Sequence, residues 1–308
     1  MKAIDDQAMP TDLTLVALSC NPLPRELEQA LLRHLQVLGI EIHSIAIPTS
    51  ASLSAAPYFS ERWIAHQAIP SEARHILRDI AADYDADLAF LKPEFKAQDI
   101  RVLAMDMDST LINIECIDEI ADFVGKKSAV AEITEATMRG EIADFKESLR
   151  RRVALLSGVS AQVLESVYRE RLKPSLGAAQ LLKGAHERNL YTLLVSGGFT
   201  FFSNKLREEF GFSQTQANTL EIIDGKLTGQ VLGDIVDGAA KATYLDKACQ
   251  ELTCQKINAI TMGDGSNDLL MMSGSGISIA YRAKPLVKEK ADAAFDRVGL
   301  DAALMLIA

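Results

Sequence analysis

The stretch AMDMDSTLI, Ala104 to Ile112, decides how the rest of the chain is read. Arg101-Val102-Leu103-Ala104-Met105 is a short apolar run that predicts a buried parallel strand, and it ends in Asp106 with a second carboxylate at Asp108. In open α/β sheets ligands bind in the crevice at the carboxyl ends of the strands, so acids placed there stand where chemistry is done. The two side chains point the same way in an extended chain, and Ser109 and Thr110 are expected to open a helix whose N–H groups face an anion. Alone, Asp-x-Asp-Ser-Thr fits a polar turn capping a helix about as well as it fits a catalytic site. The other motifs decide between the two.

Downstream, Glu115 to Lys173 is a charged helical stretch that includes Ser148-Leu149-Arg150-Arg151-Arg152-Val153. So long an excursion after the first strand of a doubly wound sheet predicts a helical cap at about 115–173, or else a pair of ordinary covering helices. The triple arginine by itself reads as a solvated face. Leu190 to Val195 is the next apolar strand, ending in Ser196-Gly197-Gly198-Phe199. Glycines after a buried strand let backbone N–H groups approach a phosphate oxygen, and Ser196 adds a hydroxyl; a tight turn would read the same way. Asn218 to Val231 predicts a hairpin turning at Asp224-Gly225. Lys241 opens the following helix as a lone cation that would otherwise pass for a surface lysine. Ile257 to Met262 predicts another buried strand, terminating in Gly263-Asp264-Gly265-Ser266-Asn267-Asp268. A glycine loop has no need of Asp264 and Asp268 together, so this motif carries the more specific signal. Ser275 to Ala280 makes a last strand, and Pro285 starts a helix.

Upstream, Leu13–Leu18, a helix from Arg25 to Leu38, Ile40/Ile42/Ile47, Tyr58–His66, a helix from Pro70 to Tyr84 and Leu88–Leu91 give the order βαββαβ. Leu27, Leu31, Leu35 and Leu38 fall on one face of the first helix, which Gly39 closes. A Ser/Ala/Pro-rich link precedes Tyr58, and polar Lys92 to Gln98 reads as the linker to the second domain. His34, His43, His66 and His75 are not spaced as metal ligands.

The chain of 308 residues has room for about two domains. A net charge of −10 argues against a nucleic-acid or anionic-membrane partner, which would be held by clustered Lys and Arg, though a metal could still neutralise an anionic substrate. Cys20, Cys116, Cys249 and Cys254 form no CxxC pair, and no apolar run is long enough to span a bilayer, so a reduced, cytoplasmic setting is expected.

The motifs DMDST at Asp106, SGG at Ser196, Lys241 and GDGSND at Asp264 resemble, in order and spacing, the haloacid dehalogenase superfamily over about residues 100–295, and within it the phosphoserine-hydrolysing branch. In the cap the likeness extends to Glu115, Met138-Arg139-Gly140-Glu141, Phe145 and Arg152, with Ile142-Ala143-Asp144 one residue longer than the family's spacing. Residues 10–95 resemble ACT-type regulatory domains. Ligand-binding members carry an acidic residue and a glycine in the loop after the first strand, where this chain has Asn21-Pro22-Leu23-Pro24, so a dimerising or structural role is at least as expected as effector binding.

The first resemblance implies an α/β fold with a doubly wound, Rossmann-like parallel sheet and an inserted helical cap over residues 96–308, preceded by an α+β unit over 1–95. It implies hydrolysis of O-phosphoserine in the last step of serine biosynthesis. A carboxylate attacks a phosphate ester only where a cation neutralises both, and Mg²⁺ suits a site of few carboxylates, water and phosphate oxygens. Its ligands would be the Asp106 side chain, the Asp108 carbonyl and the Asp264 side chain, oriented by Asp268. Asp106 would be the nucleophile, forming an aspartyl-phosphate, and Asp108 the acid and base. Ser196, Gly197, Lys241 and Asn267 would hold the phosphoryl group or substrate. Glu115 would take the ammonium, Arg152 the carboxylate, and Met138 and Phe145 would cover the substrate. Another phosphomonoester, transfer to an acceptor alcohol, or an idle amino-acid sensor are the alternatives. A homodimer is expected, held through residues 1–95, with activity retained by a chain beginning near Lys96.

Overall fold

The computed structural model describes residues 12–45, 58–139, 141–142 and 144–307. The Ser/Ala/Pro-rich link, Ile47, Gly140 and the side chain of Met138 lie outside the described residues. The strands are β1 Leu13–Ser19, β2 Ile42–Ile45, β3 Phe59–Ala65, β4 Asp87–Leu91, β5 Val102–Met105, β6 Tyr191–Phe199, β7 Gln214–Ile223, β8 Lys226–Leu232, β9 Ala259–Gly263, β10 Ile277–Tyr281 and β11 Ala293–Phe295. They form one sheet in the order β2-β3-β1-β4-β11-β10-β9-β5-β6-β7-β8.

From β11 to β7 the pairings are parallel, with β5, the first of these strands in the chain, at the centre. The chain turns to β6 on one side of β5 and to β9 on the other, so the order reverses there. The crevice beyond the ends of β5 and β9 is the switch point where such sheets bind ligands. β5, β9 and β10 are buried along their whole length, which is why their sequences run apolar without alternation. β7 and β8 close the far edge as a hairpin turning at Asp224 (φ 50°) and Gly225 (φ 72°), both left-handed, as a two-residue turn matched to strand twist requires.

Two local expectations change. Ser109 and Thr110 do not start a helix: Asp108 and Ser109 have non-helical backbones, and Ser109 is left-handed at φ 55°. The Ser109 N–H is taken by the Ile114 carbonyl, and a wide turn closed by Ile112 N–H on the Met107 carbonyl carries the chain to a helix that begins only at Cys116. The Ser-Gly-Gly motif is likewise no tight turn but an irregular extension of β6, whose register on β7 shifts between Val195 and Phe199.

The excursion after β5 is helical: Cys116–Phe123, Lys127–Met138, Phe145–Ala154 and Gln162–Ser166. Of the triple arginine, Arg150 and Arg151 are exposed while Arg152 is half-buried. In the N-terminal unit β1, β3 and β4 pair antiparallel and the helices Arg25–Val37 and Ser71–Asp83 cover one face. Leu27, Leu31 and Leu35 are fully buried; Leu38 falls past the last turn and is 43% exposed.

The other face of this unit is not free. β4 pairs antiparallel with β11, a short strand the sequence reading missed, and the Phe90 N–H donates to the Asp292 carbonyl. Asp87 Oδ2 accepts the N–H groups of Asp296, Arg297 and Val298 at 3.0, 2.8 and 3.0 Å. Arg78 donates to the Lys288 and Ala291 carbonyls, and Tyr58 to Asp301 at 2.6 Å. Val16, Leu18, Ala89 and Leu91 belong to the same apolar cluster as Met105, Tyr281 and Leu306. The polar stretch after β4 therefore links two parts of a continuous sheet.

Candidate active site

Asp106 follows β5 directly and is 4% exposed. Its Oδ1 accepts the Met107 N–H at 2.7 Å and lies 2.8 Å from Lys241 Nζ. Lys241, in helix Gly238–Glu251, is fully buried and also donates to Asp268 Oδ1 at 2.6 Å. Burial would pull the ammonium down, but Asp106 and Asp268 hold it above its ordinary value, so it stays charged. The lysine that passes in sequence for a surface cation thus joins the β5 and β9 loops. Both Asp268 oxygens are engaged, since its Oδ2 accepts the Gly265 N–H at 3.0 Å.

Asp264 lies beside them, receiving a long hydrogen bond of 3.5 Å from Thr110 and offering its backbone carbonyl to the Lys284 N–H. Ligand atoms of Asp106, Asp264 and Asp268 all fall within 4.8 Å of one another. Three carboxylates against one ammonium leave uncompensated charge in a buried place. Burial, then Asp268 and Glu115, push the Asp264 carboxyl up to about 7, and burial followed by Asp268 raises Asp106 well above its usual range. Hard oxygen donors with excess negative charge suit a divalent cation.

Asp108 is buried, and its Oδ1 has no hydrogen-bond partner. Burial, then the charge of Glu115, push its carboxyl up to about 8, against opposing contributions from Cys116 and Lys241. Gly198 explains how this acid fits: a Cβ there would sit 2.7 Å from Asp108 Oδ2 and 2.7 Å from Met107 Cε. Ser196, buried, accepts the Gly198 N–H on its Oγ at 2.8 Å, which leaves the hydroxyl proton to donate. Its neighbour Gly197 lies under the Phe145 ring, where a Cβ would be 3.1 Å from Cζ. The longer segment before Phe145 therefore does not keep the ring from the core.

Glu115 stands at the cleft wall, with Oε1 taking the Ser109 hydroxyl at 2.6 Å. The protein packed around the cleft raises its carboxyl although its surface is open, with Ser109, Lys284 and Arg152 opposing the rise. Burial pulls the Arg152 guanidinium below its ordinary value, and the charges of Asp118, Glu115 and Asp108 oppose that fall. Asn267 is half-buried in the loop between Asp264 and Asp268. Met138 ends helix Lys127–Met138.

Sequence reasoning missed Asn218. It is buried, donates to the Gly197 carbonyl and accepts the Val236 N–H, both at 2.8 Å, and so fixes the loop that carries Ser196. An asparagine opening a hairpin gave no hint of this. It also missed Ser109 and Lys284, whose partners lie on other elements.

Buried carboxylates at the end of the central strand, a serine-glycine loop on the next, a lysine and an acidic loop, all beneath a helical cap, define a class. The chain belongs to the haloacid dehalogenase-like hydrolase family, whose sequence pattern matches residues 103–273. Among its relatives, a phosphoserine phosphatase of Polaromonas sp. is 52% identical over 219 residues, covering 70% of this chain and 93% of that protein. A substrate-bound phosphoserine phosphatase complex is similar at 37% identity and a TM-score of 0.63, covering 68% of this chain and 99% of that one. A crystal structure of a HAD family hydrolase from Salmonella enterica serovar Typhi has a TM-score of 0.81 at 27% identity and covers 96% of this chain and 98% of that one, so this likeness extends over the N-terminal unit.

Proposed function

We propose that the protein is a Mg²⁺-dependent phosphoserine phosphatase that works through an aspartyl-phosphate. The observation that carries this is the placement of Asp106, bound by Lys241, and Asp108, without a partner on Oδ1, next to Glu115 and under the helix whose Phe145 covers Gly197 and which also carries Arg152. The relatives named above support the substrate. The ion would be held by the Asp106 and Asp264 side chains and the Asp108 carbonyl, and it would offset the charge of the phosphoryl oxygens. Asp268 acts behind it, with both oxygens already engaged.

In the first half-reaction an Asp106 oxygen forms a bond to phosphorus as the bond to the serine oxygen breaks. Asp108 gives its proton to that leaving oxygen. A carboxyl held at about 8 is protonated enough at neutral pH to do so. In the second, water attacks the phosphorus, its proton passes to Asp108, and phosphate leaves with Asp106 restored. Ser196, the Gly197 backbone, Asn267 and Lys241 hold the phosphoryl oxygens. Glu115 takes the substrate ammonium and Arg152 its carboxylate, with Phe145 excluding water over Gly197.

The test is phosphate release from L-phosphoserine with and without Mg²⁺, in wild type and Arg152→Ala. A lost charge-assisted contact is worth about 1.5–3 kcal/mol, which is roughly one to two orders of magnitude in kcat/KM. Arg152→Ala should show that loss on phosphoserine and little on a phosphate ester lacking the carboxylate. Equal loss on both would refute the assignment of Arg152.

Residues 1–95 form an accessory unit, and a homodimer is the assembly we infer. Support comes from Val37, 84% exposed, and Ile76 on its helices, from Leu38 just past the first of them, and from β2 at the sheet edge. Among the described residues no helix is long and apolar enough to cross a membrane. The four free cysteines fit a reducing, cytoplasmic compartment.

A further inference from the structure

Helix Phe145–Ala154 brings Phe145 and Arg152 to the site, and one charged contact ties its first turn to the core. Lys146 Nζ lies 3.2 Å from Asp237 Oδ2. Asp237 uses its other oxygen to accept the Ala240 N–H at 2.9 Å, capping helix Gly238–Glu251 in the turn that carries Lys241. Asp144 caps the cap helix in the same way, its Oδ1 accepting the Lys146 N–H at 3.0 Å. The ion pair thus joins the starts of two helices, one carrying Arg152 and the other Lys241.

The core side of this contact is a junction. Val236 donates to Asn218, the side chain that also holds the Gly197 carbonyl. Gly238 lies so close to the acidic loop that a Cβ would sit 2.7 Å from the Asn267 carbonyl oxygen. Segment 236–238 therefore touches both the serine-glycine loop and the Asp264–Asp268 loop. Phe145 rests on Gly197 while Lys146 holds Asp237, so the first turn of the cap helix meets the core through two adjacent side chains.

We propose that the Lys146–Asp237 ion pair is a latch that sets the closed cap in register with the phosphoryl-binding loops, which makes both residues positioning residues for the reaction. Neither touches the reacting atoms. The phosphoserine reading above enters only in choosing the substrate that reports on the latch. A substrate under a loosened cap must use its own binding energy to hold the cap closed, so loss of the latch lowers apparent affinity, while the saturated complex keeps its geometry and its chemistry.

The pair is partly exposed, 40% for Lys146 and 23% for Asp237, so salt should weaken it. The experiment compares full-length wild type with Lys146→Met, Lys146→Arg, Asp237→Asn and the Lys146→Met/Asp237→Asn double variant. Asparagine still caps a helix, so Asp237→Asn removes the charge and leaves the cap. Each neutralising single variant should raise KM for phosphoserine roughly two- to fivefold with kcat changed less than about twofold. Lys146→Arg should restore most of the loss. The double variant should be no worse than either single one, the mark of a shared interaction. Amide exchange over residues 145–154, measured without substrate, should quicken in Lys146→Met and not in Lys146→Arg. The exchange arm decides the latch whichever phosphomonoester the enzyme accepts, while failure of wild type on phosphoserine would count against the substrate alone. Losses that multiply in the double variant, or unchanged exchange in Lys146→Met, would overturn the latch.

Discussion

Asp106 is pressed by burial and by the charges of Asp268 and Asp264, and Lys241 and the Met107 N–H oppose that pressure. Removing its charge while keeping its shape, as in Asp106→Asn, should abolish phosphate release and leave the thermal midpoint equal to wild type or higher. Near wild-type turnover would take the nucleophile's role from this residue. Asp108 lends itself to a pH test. Its carboxyl is held at about 8 in the folded chain against an ordinary 3.8, so between those values the folded protein keeps a proton that the unfolded chain has released. The stability it contributes is complete below the ordinary value and is lost as pH rises through about 8. In chelator, wild type should therefore lose stability relative to Asp108→Asn on going from about pH 5 to about pH 9, a difference that melting curves would read. Parallel curves would mean that Asp108 titrates normally.

At the scale of elements, the irregular end of β6 brings the backbone close to a catalytic side chain. Gly198→Ala places a methyl 2.7 Å from both Asp108 Oδ2 and Met107 Cε, the movable ends of two side chains. The fold should yield at little cost, and the displaced acid should not recover its position. The expected outcome is a kcat lowered by roughly a hundredfold, as misplacement of about 1 Å costs, with a melting point within a few degrees of wild type. An active Gly198→Ala enzyme would show that Asp108 has slack that the structure does not suggest. The glycine of the SGG motif is thus required by a close approach as much as by any donation to phosphate.

For the whole molecule, the continuous sheet sets the terms. A chain beginning at Lys96 keeps Asp106, Asp108, Lys241 and Asp264 but strips β4 from β11 and exposes the apolar surface that Val16, Leu18 and Leu91 cover. It also removes Asp87 from three N–H groups of the C-terminal segment and Arg78 from the carbonyls ending helix Pro285–Lys290. Such a chain should melt well below the full protein, and any phosphatase activity that survives should fade with that instability. Parallel melting and activity assays of the two chains would decide, and equal melting points would show that the units are energetically independent. Light scattering of the full chain tests the dimer, which a monomer would exclude.

What the sequence determined by itself is whatever depends on local order. Apolar runs ending in Asp106, Ser196 and Asp264 mark buried parallel strands whose carboxyl ends face one crevice, because side-chain period and burial are written along the chain. The βαββαβ order, the Asp224-Gly225 turn and Gly39 at a helix end are legible for the same reason. Tertiary structure alone decided how these pieces meet. Whether Lys241 is a surface cation or a buried tie between Asp106 and Asp268 depends on residues far apart in the chain, and no periodicity records a partner. Asn218, the Lys146–Asp237 pair and the β4–β11 seam were hidden likewise, since each is a single contact between distant segments. Ser109 reads locally as a helix start, yet its N–H goes to Ile114 and its hydroxyl to Glu115, because the chain must turn there to lay the cap over the acids.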